Sequence, residues 1–241
     1  MNDLETVASL LAKAGRVTVL TGAGVSAESG IPTFRGLGGL WNGRDPMSLA
    51  TPQAFAANPE LVWEFYNWRR ELVTQAEPNP GHRALAEFSR RLTSLTLVTQ
   101  NVDRLHQRAG SRDVIELHGN LFEVRCTGCS RTFDRSGETL PPLPRCHDCG
   151  QLLRPGVVWF GESLPPAMWE AAETAVRRAP LLLVIGTSAV VYPAAGLVGT
   201  AQNGGGAVIE INLEPTPISA TVDIALQGKA AEILPILADL L

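Results

Sequence analysis

The chain has 241 residues, 45% of them hydrophobic and 18% charged, and a formal net charge of -4, enough apolar material for one large globular domain or a large domain carrying a small one. This balance excludes a disordered, collagen-like or coiled-coil chain. A sequence pI near 5.6 argues against a dedicated binder of phosphate backbones, so nucleic acid is not an expected partner.

Leu4, Val7, Leu10 and Leu11 follow helical spacing in an acidic N-terminal stretch. This predicts an amphipathic helix and not a signal peptide, whose flank would be basic, and the chain reads as cytoplasmic. Val17-Thr-Val-Leu20, apolar and partly β-branched, predicts a strand that ends in the Gly-rich turn Thr21-Gly-Ala-Gly24. Residues 36–79 are punctuated by Gly, Trp and Pro and then turn helical. Further strands are expected at 94–99, 113–117, 181–185 and 207–211, with helical patterns around 82–91, 102–109, 165–178, 194–202 and 229–240. Such alternation implies an α/β fold with a mostly parallel, Rossmann-like sheet. No charged residue falls between Pro180 and Ile209, but Gly186-Thr187-Ser188, Pro193 and residues 202–206 break that stretch. It reads as buried strands around a helix, so no membrane span is expected. Residues 36–79 and 121–153 lack a hydrophobic run long enough for a central strand. They are expected to form a smaller domain, a helical module plus a zinc module, beside a Rossmann-like domain built from 1–35, 80–120 and 154–241.

Cys126-x2-Cys129 and Cys146-x2-Cys149 are separated by sixteen residues, a spacing that lets two knuckles present four thiolates tetrahedrally to one Zn²⁺. Four thiolates leave no open coordination position, so the metal is expected to be structural. Two disulfides would require an oxidising compartment that nothing in the N-terminus supports. His147, inside the second knuckle, reads as a solvated loop residue.

Gly22-Ala-Gly24 after a strand lets backbone N–H groups approach a pyrophosphate. Ala27 stands at the third position of G-x-G-x-x-G, as the looser form of that fingerprint permits. The following Ile31-Pro-Thr-Phe-Arg-Gly-Leu-Gly-Gly-Leu-Trp41 has too much Gly and Pro for the helix and strand of a dehydrogenase, and suits a loop that closes over a cofactor.

The residues from Gly22 to Arg35, Thr99-Gln-Asn-Val-Asp103, His118-Gly119, the paired CxxC knuckles, Val158-Trp-Phe-Gly161, Gly186-Thr-Ser188 and Asn212 occur in one order over nearly the whole chain. In that order they resemble the sirtuins, NAD-dependent protein lysine deacylases. The resemblance implies that the acyl-lysine carbonyl oxygen attacks C1′ of the nicotinamide ribose, nicotinamide is expelled, and the acyl group leaves as O-acyl-ADP-ribose. His118 matches the general base, and an imidazole with a pKa of about 6.5 suits that task. Asn101 matches the residue that orients the ribose and a water; Asp103 matches the acceptor for the nicotinamide carboxamide, with Gln100 beside them. Gly22, Ala23, Gly24, Ser26, Ala27, Glu28, Phe34, Arg35 and Trp41 match the first cofactor loop, in which Phe34 would cover the site after nicotinamide leaves and Arg35 would meet phosphate. Gly186, Thr187, Ser188, Asn212, Leu213 and Glu214 match phosphate and adenosine-ribose contacts, and Ala230 a residue near adenine. His82 is expected to cap or pack a helix start, and His106 to lie along a helix, neither with a chemical role.

Tyr66 and Arg69 stand at i and i+3 and on a helix would share a face. A guanidinium holds a carboxylate bidentately while a phenol donates a third hydrogen bond. Tyr-x-x-Arg matches the sirtuin subclass that removes succinyl and malonyl groups, and Ala50 matches a small residue that leaves room in its acyl pocket. The resemblance therefore implies succinyl or malonyl removal with residual deacetylation. Replacement of the neighbouring Arg70 is expected to matter much less than that of Arg69. Two other activities remain open: an ADP-ribosyltransferase or NAD glycohydrolase on the same scaffold, and a non-catalytic zinc- and NAD-binding module. Expected partners are acyl-lysine proteins or peptides, without a membrane, met by a monomer or weak oligomer.

Overall fold

The computed structural model describes residues 3–33, 41 and 43–241. Helix α1 (Asp3–Lys13) carries Asp3 and Glu5 in its first turn and Lys13 in its last, charges that complement the helix dipole. It leads into β1 (Arg16–Thr21) and a 3-10 helix over Ala23–Ser29. Three helices follow, α2 (Pro46–Leu49), α3 (Pro52–Ala57) and α4 (Pro59–Gln75). Each has Pro in its first turn and is capped by a side chain, from Asp45, Thr51 and Asn58 respectively. Next come α5 (Pro80–Arg91), β2 (Ser94–Thr99), α6 (Leu105–Arg108), β3 (Ile115–Glu116), β4 (Gly119–Cys126), β5 (Thr132–Asp134) and β6 (Leu153–Val157). The chain ends with α7 (Pro166–Arg178), β7 (Leu181–Ile185), α8 (Gly196–Asn203), β8 (Ala207–Asn212), β9 (Ile224–Gln227) and α9 (Ala230–Leu240).

Six strands form a parallel sheet in the order β3-β2-β1-β7-β8-β9. Helices α1, α5 and α9 pack on one face through Leu11, Leu85, Phe88 and Leu234, and α7 and α8 cover the other through Val176 and Leu197. Coverage of both faces explains why β7 reads as unbroken Leu-Leu-Leu-Val-Ile, buried at every position. The uncharged stretch from Pro180 to Ile209 resolves into β7, α8 and β8. Among the described residues no helix is long and apolar enough to cross a membrane.

A second, antiparallel sheet has the order β5-β4-β6 and packs with α4 around Trp63, Phe65, Tyr66, Leu121, Val124 and Trp159. The sequence patterns predict neither this sheet nor β9. Strand β6 contains Pro155 and Gly156, which read as breakers; β6 lies at a sheet edge, where a missing N–H is tolerated. Gly119 sits at φ +67°, and a Cβ there would lie 2.1 Å from the Gly156 carbonyl oxygen, so only glycine lets these two strands meet. The helix expected over 102–109 shrinks to α6 because Asp103 and left-handed Arg104 (φ 57°) belong to the turn before it.

Candidate active site

The carboxyl ends of β1, β2, β7 and β8 open on one crevice where the strand order reverses between β1 and β7, the place where open α/β sheets hold ligands. Two loops meet there backbone to backbone. Gly22 N–H donates to the Ile185 carbonyl (3.0 Å) and Gly24 N–H to that of Gly186 (2.7 Å). A Cβ on Gly24 would lie 2.7 Å from the Gly186 oxygen, and one on Gly186, itself at φ +58°, 2.4 Å from Val25 N. Loop-on-loop packing thus accounts for glycine at 24 and 186, a constraint the sequence reading assigned to a pyrophosphate.

The turn from Gln100 to Asp103 follows β2 and is held by three hydrogen-bond chains. His82 Nδ1 accepts from the Asn79 N–H (3.3 Å), closing a capping box at α5; its Nε2 therefore carries the proton and donates to Ser26 Oγ (3.3 Å). Ser26 donates to Asp103 Oδ2 (2.8 Å) and accepts from Asn101 Nδ2 (3.1 Å), while Asp103 Oδ1 takes the Leu105 N–H (2.9 Å). In the second chain Thr21 Oγ1 lies 3.0 Å from His106 Nε2 and 2.8 Å from Thr99 Oγ1, and Thr99 Oγ1 accepts from the Asn101 N–H (3.0 Å). His106 Nδ1 is buried and finds no partner among the described residues. Burying a bare lone pair costs less than burying an unmade N–H, so Nε2 is the protonated nitrogen and His106 donates to Thr21. In the third chain His118, just after β3, sends Nδ1 to the Gln100 carbonyl (2.9 Å). A carbonyl only accepts, so Nε2 of His118 keeps its lone pair.

Burial lowers the pKa of all three histidines: His82 to about 4, His106 well below its ordinary value, and His118 less, with the Gln100 carbonyl opposing. Burial also raises the Asp103 carboxyl, against the Leu105 and Ser26 donors. His82 and His106 enter the site only through tertiary contact, and no local sequence signal marks them; Thr21 and Thr99 lie in the strings at the ends of β1 and β2. Ser26, expected along the cofactor loop, is fully buried as the bridge between His82, Asn101 and Asp103.

The other expected residues divide. Gln100 Nε2 donates to Thr187 Oγ1 (3.0 Å) and Asn212 Nδ2 to the Thr187 carbonyl (2.9 Å). Ala23 and Ser188 are half-buried, and Ala27, Leu213 and Glu214 exposed. Glu28 accepts from the Ala231 N–H (3.0 Å) at the start of α9, and Ala230 packs against Gly81. Trp41 is buried against Phe65, ring centroids 5.4 Å apart. Phe34 and Arg35 lie outside the described residues.

Tyr66 and Arg69 do share a face of α4: the Arg69 guanidinium carbon is 5.7 Å from the Tyr66 ring centre. Burial raises the Tyr66 phenol pKa and lowers that of Arg69, with electrostatic interaction with Tyr66 and Asp103 opposing the fall at Arg69. Ala50 is buried, and its carbonyl accepts from the Phe160 N–H (2.9 Å). Arg70 has a structural role of its own. It is buried and donates to the carbonyls of Leu121 (2.5 Å), Arg135 (2.7 Å) and Glu138 (3.0 Å), tying α4 to β4 and the segment after β5. It is no neutral neighbour of Arg69.

The Sγ atoms of Cys126, Cys129, Cys146 and Cys149 lie within 4.8 Å of one another, with Cys129 and Cys146 at 3.8 Å. A tetrahedron with Zn–S bonds of about 2.3 Å has edges of about 3.8 Å, so the four residues fit one Zn²⁺. Backbone N–H groups of Gly128 and Cys129 point at Cys126 Sγ (3.3 and 3.4 Å), an arrangement suited to a thiolate. His147 is mostly exposed, beside Asp148.

Fold and site together define an open α/β protein with a ligand crevice at the reversal of its sheet and a separate centre of four thiols. The model for the Sir2 family matches residues 22–193. The curated NAD-dependent protein deacylase 1 of Archaeoglobus fulgidus is 54% identical over 231 residues, 95% of this chain and 94% of that protein. A solved Sir2 homolog in complex with NAD is 53% identical with a TM-score of 0.93, covering 98% of this chain and 92% of that one. A Sir2 homologue mutant in complex with 2′-O-acetyl ADP ribose is 52% identical with a TM-score of 0.94, covering 99% and 96%. The chain belongs to the Sir2 family.

Proposed function

We propose that this chain is an NAD-dependent protein lysine deacylase that removes succinyl and malonyl groups in preference to acetyl, giving nicotinamide, O-acyl-ADP-ribose and free lysine. Family membership supports the deacylase class. The observation that carries the acyl preference is the guanidinium of Arg69 beside the buried phenol of Tyr66, with Asp103 of the crevice turn close enough to act on its charge. A half-buried cation beside a buried hydroxyl suits a ligand that ends in a carboxylate and penalises one that leaves them unpaired.

The crevice fits NAD in its donor set: the buried Asn101 amide and Asp103 carboxyl at β2, and hydroxyl and amide groups of Thr187, Ser188 and Asn212 at β7 and β8. When bound, NAD supplies the ribose carbon that accepts the acyl oxygen as nicotinamide departs. His118 Nε2, with its lone pair available and its pKa lowered, takes the proton of a ribose hydroxyl. Asn101 is held by both its backbone N–H and its side chain, so its remaining amide oxygen is oriented before ligand arrives. Zn²⁺ held by Cys126, Cys129, Cys146 and Cys149 would tie the two knuckles together, and none of these four residues is among the crevice groups. On this reading the segments 1–35, 80–120 and 154–241 form the NAD-binding domain and 36–79 with 121–153 the small domain of a cytoplasmic monomer or weak oligomer.

The test is mass spectrometry of one peptide carrying acetyl- or succinyl-lysine, with NAD, on wild type and Arg69→Met. The expected result is preferred succinyl removal with O-succinyl-ADP-ribose formed. In Arg69→Met, desuccinylation should fall by about 2–4 kcal/mol of transition-state binding while deacetylation persists. Equal loss of both activities would assign Arg69 to the fold and not to the substrate.

A further inference from the structure

Trp159 is buried between α4 and the loop after β6, and its indole N–H donates to the Tyr66 phenol oxygen at 2.9 Å. The ring is locked from its other face. The Arg154 guanidinium carbon lies 3.5 Å above the indole centre, and its nitrogens form a two-pronged pair with Glu162 (2.6 and 2.8 Å) and a bond to the Val157 carbonyl (3.1 Å). Glu162 closes the loop by accepting the Trp159 backbone N–H (2.8 Å). A cation over an indole draws density from the ring and strengthens its N–H as a donor.

The consequence lies in the hydrogen-bond capacity of a phenol, which has two lone pairs and one proton. An indole N–H and a guanidinium can only donate; the Tyr66 oxygen takes a hydrogen bond from Trp159, and the Arg69 guanidinium carbon lies 5.7 Å from the Tyr66 ring centre. Neither neighbour can accept the hydroxyl proton, and that proton makes no hydrogen bond to an acceptor among the described residues. We infer that Trp159, clamped by Arg154 and Glu162, is a positioning residue for acyl selectivity: it forces Tyr66 to present its O–H as a donor to the terminal carboxylate of a short dicarboxylic acyl chain. The inference rests on the acyl preference proposed above. Burial keeps the phenol protonated, so the donor persists over the working pH range, whereas an acetyl methyl group leaves it unpaired.

The test is the ratio of succinyl to acetyl kcat/KM in wild type, Trp159→Phe, Tyr66→Phe and the double variant. Trp159→Phe should lower the ratio about tenfold, through the succinyl KM, and in the Tyr66→Phe background it should lower it no further, because the indole acts through the phenol. Glu162→Gln, which keeps the indole, should lower the ratio about twofold to threefold; this variant decides the matter should Trp159→Phe not fold. A wild-type ratio in Glu162→Gln and Trp159→Phe, or independent effects of Trp159 and Tyr66, would overturn the inference while leaving the acyl preference standing. A wild-type enzyme without succinyl preference would overturn both.

Discussion

Around the ends of the parallel sheet the buried polar groups include two histidines kept neutral, His82 and His106, whereas the antiparallel sheet is tied to its surroundings by three arginines. Arg70 reaches the carbonyls of Leu121, Arg135 and Glu138. Arg104 reaches Glu116, Glu123 and Asp134, and Arg154 reaches Glu162. Neutral imidazoles need no counter-charge, so they fit a crevice that must stay open to a charged ligand. They define direction: each has one donor and one acceptor nitrogen, and through Ser26 and Thr21 they orient Thr99, Asn101 and Asp103. Guanidiniums hold separate segments together at several points, which suits a region with little apolar core of its own at its cysteine end, where Cys129 and Cys149 are exposed and β5 has three residues. One region is thus sensitive to acid, the other to loss of metal.

The sharpest break is chelation. A structural four-thiolate site carries about 10 kcal/mol of apparent metal-binding free energy, so removal of Zn²⁺, or Cys149→Ser, should expose the amides of β4 to β6 to hydrogen exchange while those of β1, β7 and β8 stay protected. Full protection of both sheets without metal would refute the structural role. His118→Ala comes next. It should lower kcat about a thousandfold with no change in melting temperature, since it removes a half-buried imidazole with one hydrogen bond. In wild type, kcat/KM should fall only below about pH 6.5, because burial lowers the His118 pKa. Arg70→Met should cost about 3 kcal/mol, as the buried Leu121 carbonyl and two part-buried ones lose a charged donor, read as a shift in the denaturation midpoint with the acyl ratio preserved. A shift in that ratio without a loss of stability would contradict its structural role.

The smallest effect is acid sensitivity. His82 has a folded pKa of about 4 against about 6.5 unfolded, so below pH 6.5 the unfolded chain binds more protons. Its contribution is complete above pH 6.5 and declines as pH falls towards 4, by about 3 kcal/mol at most. His106 acts in the same sense, and Asp103 and Glu116, raised by burial, act in the opposite one. Replacing His82 with Asn should flatten the slope of stability against pH in this window; an unchanged slope would remove His82 from the account.

Much of the site was legible because its residues lie in short strings. Thr99 to Asp103, His118-Gly119 and Gly186 to Ser188 each follow a strand, and the ends of parallel strands collect on one side of a sheet. Tyr66 and Arg69 were legible as a pair because helical spacing alone puts them on one face. The antiparallel sheet was not, since its outer strand carries Pro155 and Gly156 and its register depends on Gly119 meeting Gly156. The burial of Arg70 was not legible for a related reason: two adjacent arginines in Trp-Arg-Arg look alike in sequence, and only the arrival of β4 on α4 decides which is buried.

By itself the sequence determined what local chemistry can specify: alternating strands and helices, a four-thiolate spacing, the order of the crevice strings and the Tyr-x-x-Arg face. Only the tertiary structure decided which polar groups became partners. His82, His106, Ser26, Thr21 and Thr99 are scattered over 85 residues between the most distant bonded pair, and the bond between Trp159 and Tyr66 spans 93. Hydrogen-bond direction and protonation depend on burial and on the nearest donor or acceptor, and neither exists until the sheet has closed and placed distant residues within about 3 Å of each other.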